Sequence, residues 1–144
     1  YISNGTHLVA TPISGGYDLQ FLADGGNATF TLKGSGLNLA NYANGTLSFD
    51  VKVLTYGANT KGLAIKMESP GEGCRNVDYL LPDAVKPPAD GQVHRVTVPV
   101  ADVVANENAP CFTLDNVVVP FGIFPAWDDQ QGVRFEVANV VLTQ

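Results

Sequence analysis

Apolar and polar residues alternate along much of the chain. In residues 46–53, Leu47, Phe49, Val51 and Val53 fall on one side, and Ser48, Asp50 and Lys52 on the other. The same period places Leu63, Ile65 and Met67 opposite Ala64, Lys66 and Glu68, and Val96 and Val98 opposite Arg95 and Thr97. Near the end, Val133, Phe135 and Val137 alternate with Arg134 and Glu136. A period of two is that of a strand with one face on a core and the other in water. Weaker strand candidates lie at 17–23, 27–33, 77–81 and 117–124; the last is apolar on both faces and reads as a central or doubly covered strand.

Turn residues separate these runs: Ser14-Gly15-Gly16, Asp24-Gly25-Gly26, Asn44-Gly45, Pro70-Gly71, Asp90-Gly91 and Gln130-Gln131-Gly132. Asp24-Gly25-Gly26, between two strand-like runs, predicts a hairpin. No segment holds a helical period, although 101–106 has room for one turn. The pattern predicts about eight antiparallel strands in an all-β fold, a β-sandwich of the jelly-roll kind, as one domain over 1–144. Two irregular stretches, 69–76 and 81–91, are where binding loops would lie.

Composition narrows the function. Eight Lys and Arg against 14 Asp and Glu give a formal charge of −6, so no basic stripe exists for nucleic acid or for an anionic membrane surface. No apolar run reaches the about 18 residues a bilayer span needs. The chain starts at Tyr1 without a Met, a basic stretch or an apolar stretch, which reads as a mature or excised piece of a longer secreted protein. Cys74 and Cys111 either pair, closing a loop of about 37 residues worth roughly 3–4 kcal/mol, or stay as buried thiols; their Gly/Pro/Asn-rich settings favour the pair. Sequons occur at Asn4, Asn27 and Asn44.

Signatures of catalysis are missing: there is no Gly-x-Ser-x-Gly, His-Glu-x-x-His, phosphate loop or dinucleotide fingerprint. His7 and His94 read as structural hydrogen-bonders. Asp50, Glu68 and Glu136 read as solvated strand faces rather than a glycosidase pair. The outward side chains say more. Asp50, Lys66, Glu68 and Arg95 would form a polar platform if their strands are sheet neighbours. Such groups meet sugar hydroxyls while an aromatic ring stacks on the pyranose C–H face. Trp127, in a loop beside Asp128 and Asp129, is the expected ring, with Arg75 and Tyr79 as further candidates. The oxygen-rich turns Asp24-Gly25-Gly26-Asn27 and Asp128-Asp129 carry the ligand types that calcium takes.

The runs 47–53 and 62–68, Gly73-Cys74-Arg75-Asn76-Val77-Asp78, Val96-Thr97-Val98-Pro99-Val100, and Cys111-Phe112 ahead of Val119-Pro120-Phe121 are together informative. In this order they resemble the galactose-binding-like C-terminal domain of ExoP-type family 3 exo-β-glucanases. More broadly they resemble the jelly-roll carbohydrate-binding modules of polysaccharide-degrading enzymes. The resemblance covers roughly 17–142. Where many members carry an aromatic residue before the strand holding Arg95, this chain has Gln92-Val93-His94. The resemblance implies a non-catalytic module that binds a polysaccharide such as a β-glucan or agar-like glycan. It further implies an appended glycoside hydrolase, a structural calcium ion and a secreted location. The alternative is a structural or oligomerisation sandwich that packs against a catalytic domain through an exposed patch of Val118, Phe124 and Trp127.

Overall fold

The computed structural model describes residues 5–25, 28–75, 78–105 and 111–144. The sequons at Asn4 and Asn27, and the expectations touching Gly26, Asn76 and Val77, lie outside the described residues; Asn44 is exposed in the turn before a strand. Among the described residues nine strands form: β1 (Leu8–Ile13), β2 (Gly16–Phe21), β3 (Phe30–Leu32), β4 (Thr46–Tyr56), β5 (Leu63–Glu68), β6 (Tyr79–Leu80), β7 (Val93–Pro99), β8 (Val119–Pro125) and β9 (Val133–Thr143). The one α-helix among the described residues, α1 (Val100–Ala105), sits where one helical turn is expected, and buries Val100 and Val103.

The strands make two antiparallel sheets, one ordered β1-β2-β9-β4-β7 and the other β3-β8-β5-β6. Alternation predicts the inward set correctly: Leu47, Phe49, Val51 and Val53 of β4 meet Leu63, Ile65 and Met67 of β5 and Phe121 and Ile123 of β8 in one buried core. Phe21 stacks near Phe135 with ring centroids 6.0 Å apart. β8, buried on both faces, is the central strand between β3 and β5, as its unbroken apolar run predicts.

Asp24-Gly25-Gly26 does not close a hairpin. β2 pairs with β1 and β9, while β3 pairs with β8 in the other sheet, so the segment crosses between sheets. Asp24 is held elsewhere: its Oδ1 accepts the backbone N–H groups of Gln130 and Gln131 at 2.9 and 2.8 Å. The hairpin lies instead at Ser14-Gly15, where Gly15 has φ 74° and joins β1 to β2.

Cys74 and Cys111 form a disulfide, which ties the 69–75 stretch to the segment leading into β8. Ser69 reinforces this tie, because its Oγ donates to Thr113 O at 3.0 Å and accepts from Thr113 N at 2.9 Å. The other irregular stretch, 81–91, packs inward: Val85 is buried and its carbonyl accepts the Tyr56 hydroxyl. Burial pushes the Tyr56 phenol up to about 12, and the charge of Asp90 adds to the shift.

Two outcomes follow from these ties. Reducing the disulfide should cost roughly 4 kcal/mol through the restored loop entropy of the unfolded chain, read from urea unfolding with and without reductant. Because the folded Tyr56 keeps its proton to about 12, its contribution is fully present below the unfolded value near 10 and is lost between them. Unfolding free energy should therefore fall by roughly 2–3 kcal/mol as pH rises through that window, and Tyr56→Phe should flatten the fall.

Candidate functional site

Each sheet has an outer face, and the two faces differ in character. On the five-stranded sheet, side chains are committed to cross-strand ion pairs. Arg134 binds Asp18 through Nε at 3.1 Å and Nη2 at 2.8 Å. Lys52 lies 3.9 Å from Glu136. Asp50 accepts from Asn139 Nδ2 at 2.8 Å and from Arg95 Nη1 at 3.2 Å. The Asn139 hydrogen bond, with Arg95 adding to it, holds the Asp50 carboxyl below its usual value. Opposite charges facing each other across strands give small increments of stability.

The four-stranded sheet carries a cleft of about 390 Å³ on its outer side. Ala64 of β5, Phe124 of β8, Ala126 and the half-buried Leu80 of β6 form a second small apolar cluster there, separate from the main core. Lys66 lies along this surface because Gly122, beside it on β8, has no side chain. A Cβ at Gly122 would come within 3.0 Å of Lys66 Cγ and 3.2 Å of its Cε. So seated, the Lys66 ammonium lies 5.8 Å from the Phe124 ring centroid and 3.6 Å from Glu68. Arg75 and Asp78 line the cleft as a second ion pair at 2.8 Å. With Asp128 at the rim, two cations and two carboxylates line the cleft, and their charges balance.

Trp127, 46 % exposed, also lines the cleft, and Lys61 Nζ lies 5.5 Å from its ring centroid. Its backbone is unusual: Trp127 has φ 31° and Asp128 φ 75°, a left-handed pair without glycine. Such conformations cost about 1–3 kcal/mol each and cluster at binding and catalytic sites. Gln130, 93 % buried in its own right at 7 % exposure, donates from Nε2 to Ala28 O at 3.4 Å, while its Oε1 has no hydrogen-bond partner among the described residues.

The expected single platform does not exist. Asp50 and Arg95 do stand on neighbouring strands, β4 and β7, in register with each other. Lys66 and Glu68 belong to the opposite sheet, so the two pairs face away from each other. Alternation reveals which face a side chain takes but not which sheet its strand joins. Of the expected residues, Trp127, Lys66 and Arg75 are brought together in the cleft, with Glu68 alongside as the partner of Lys66. Tyr79 is not there: it packs half-buried against the main core, because its neighbour Leu80 takes the outward position on β6. The apolar patch expected of Val118, Phe124 and Trp127 is absent too, since Phe124 is 7 % exposed and Val118 is half-buried.

Several participants escape sequence reading. Gly122 gives no signal beyond a glycine in an apolar strand, a known mark of close approach. Gln130 resembles an ordinary loop residue. Of the calcium-type oxygens, Asp24 Oδ1 accepts two backbone N–H groups, and no three His, Cys, Asp or Glu side chains converge among the described residues.

No protein-family model matches the sequence, and no curated protein matches it. Solved structures do share its architecture. The family 30 carbohydrate-binding module of a cellulosomal cellulase from Clostridium thermocellum is 14 % identical, with a TM-score of 0.64 over 99 % of this chain and 86 % of that one. A second structure of a family 30 carbohydrate-binding module gives a TM-score of 0.69 at 14 % identity, covering 99 % and 87 %. A third gives 0.61, also at 14 % identity, over 96 % and 75 %. The chain is thus an antiparallel β-sandwich with the jelly-roll fold of the family 30 carbohydrate-binding modules.

Proposed function

We propose that this chain is a non-catalytic carbohydrate-binding module whose cleft on the four-stranded sheet holds a polysaccharide. The observation that carries the reading is the half-exposed Trp127 indole, held on left-handed backbone in a cleft also lined by Lys66 and by the Arg75–Asp78 ion pair. The indole offers a flat apolar surface to the C–H face of a pyranose. Lys66 and Arg75 donate to sugar hydroxyls, and Glu68 and Asp78 accept from them.

Charge balance in the cleft supports a neutral glycan, such as a β-glucan or an agar-like chain, over a sulfated one. An open, shallow site with one stacking ring gives modest affinity, which suits a module that gains retention by being tethered to an appended glycoside hydrolase. The disulfide fits an oxidising, extracellular setting, and no helix among the described residues is long and apolar enough to cross a membrane. The fold shared with carbohydrate-binding modules supports binding without cleavage. A structural calcium ion is part of the proposal through the oxygen-rich turns and the sequence resemblance.

Affinity electrophoresis and calorimetry of the full chain against β-glucans and agars test the reading. Retention is expected for the unmodified protein, with no release of reducing ends. Trp127→Ala should weaken binding roughly tenfold or more while leaving the circular dichroism spectrum unchanged. Asp50→Asn and Arg95→Ala, on the other sheet, should bind as the unmodified protein does and change stability by less than about 1 kcal/mol. Failure of the unmodified protein to bind any polysaccharide would overturn the reading, and full retention by Trp127→Ala would remove the indole from it.

A further inference from the structure

We propose that Asn59 is the positioning residue for Trp127, a role that rests on the reading of the indole as the stacking surface. Asn59 sits in the connection between β4 and β5, 67 residues from the Trp127 loop in sequence, yet it is only 3 % exposed. All of its side-chain hydrogen-bonding capacity toward these two loops is engaged. Oδ1 accepts the backbone N–H groups of Lys61 at 3.0 Å and Gly62 at 2.7 Å. Nδ2 donates to the carbonyls of Ala126 at 2.9 Å and Asp129 at 3.1 Å. Two donors on one atom and two acceptors on the other fix the orientation of the carboxamide, since flipping it would set donor against donor.

The two carbonyls bracket Trp127 on either side along the chain. Ala126 N donates to Gly62 O at 2.8 Å, so Asn59, Gly62 and Ala126 close a ring of hydrogen bonds between the two loops. Asp129 N donates back to Trp127 O at 3.0 Å, which completes the tight left-handed turn. The same carboxamide therefore sets the indole and, through the turn that holds it, Lys61, whose ammonium lies over the ring. Lys61 is not among the residues lining the cleft, although the indole is. With this arrangement fixed in the free protein, a sugar meets a ring already in place and less ordering entropy is lost on binding. A buried amide satisfied on both ends holds strained backbone at low cost, whereas half of it satisfied does not.

Asn59→Asp separates these roles, because a carboxylate keeps the acceptor for Lys61 and Gly62 but loses the donors to Ala126 and Asp129. Trp127 is the single tryptophan of the chain, so its fluorescence reports this loop alone. In folded Asn59→Asp, quenching of Trp127 by acrylamide should rise about twofold, as expected of a loop that opens locally. Affinity for the retained glycan should fall about three- to tenfold. A core variant, Val51→Ala, that lowers the thermal midpoint as much should leave quenching unchanged. Unchanged quenching in folded Asn59→Asp overturns the proposal. Should the unmodified protein bind no polysaccharide, the carbohydrate reading falls while quenching still decides what Asn59 does. If Asn59→Asp does not fold, the Asn59 side-chain amide protons decide by NMR in the unmodified protein: slow exchange supports the clamp, and exchange as fast as a free carboxamide refutes it.

Discussion

Phe49 of the five-stranded sheet and Phe121 of the four-stranded sheet meet with ring centroids 5.0 Å apart and planes tilted by 59°. Both are essentially inaccessible to water, and the aliphatic residues of β4, β5, β8 and β9 pack around them. Removing this much apolar surface from water is the largest favourable term available to a chain built mainly of strands and with few charges. It also uses up one face of each sheet. Whatever the molecule does in water, it does with the two faces left over and with the loops at their ends.

Those two faces are specialised in opposite ways. On the five-stranded sheet, acids and bases meet one another across strands, so the surface is electrostatically self-contained. On the four-stranded sheet, charges are fewer and lie beside small and aromatic residues: Gly122, Ala64, Phe124 and Trp127. On this second surface apolar and polar groups stand within a few ångströms of one another in the cleft. The disulfide and the Ser69–Thr113 bonds anchor the stretch that delivers Arg75, while Asp24 and Asn59 anchor the loop that delivers Trp127. Both walls of the cleft are therefore irregular backbone made firm by specific cross-links.

Much of the sandwich was legible from alternation, because a period of two depends only on local geometry and on one dry face. The inward residues of β4, β5, β7 and β9 follow directly, and so does the centrality of β8. Sheet membership was not legible: the chain passes from β4 in one sheet to β5 in the other, and nothing in residues 57–62 records the crossing. For the same reason Asp24-Gly25-Gly26 read as a hairpin although its flanking strands never pair. Trp127, Lys66 and Arg75 were visible as candidates by residue type and exposure. Tyr79 was misplaced because β6 is only two residues long, too short for a period to assign its faces. Asn59 gave no local signal, since its meaning lies in carbonyls far along the chain.

The missing side chain at Gly122 has a consequence for the surface beside it. The Lys66 stem rests on a backbone with no side chain of its own, one strand away, and Lys66 lines the cleft. A single added methyl at Gly122 would tip the Lys66 ammonium outward while the sandwich interior kept its packing. The form of the cleft is thus adjustable at a position outside its own lining, without rebuilding the frame beneath it.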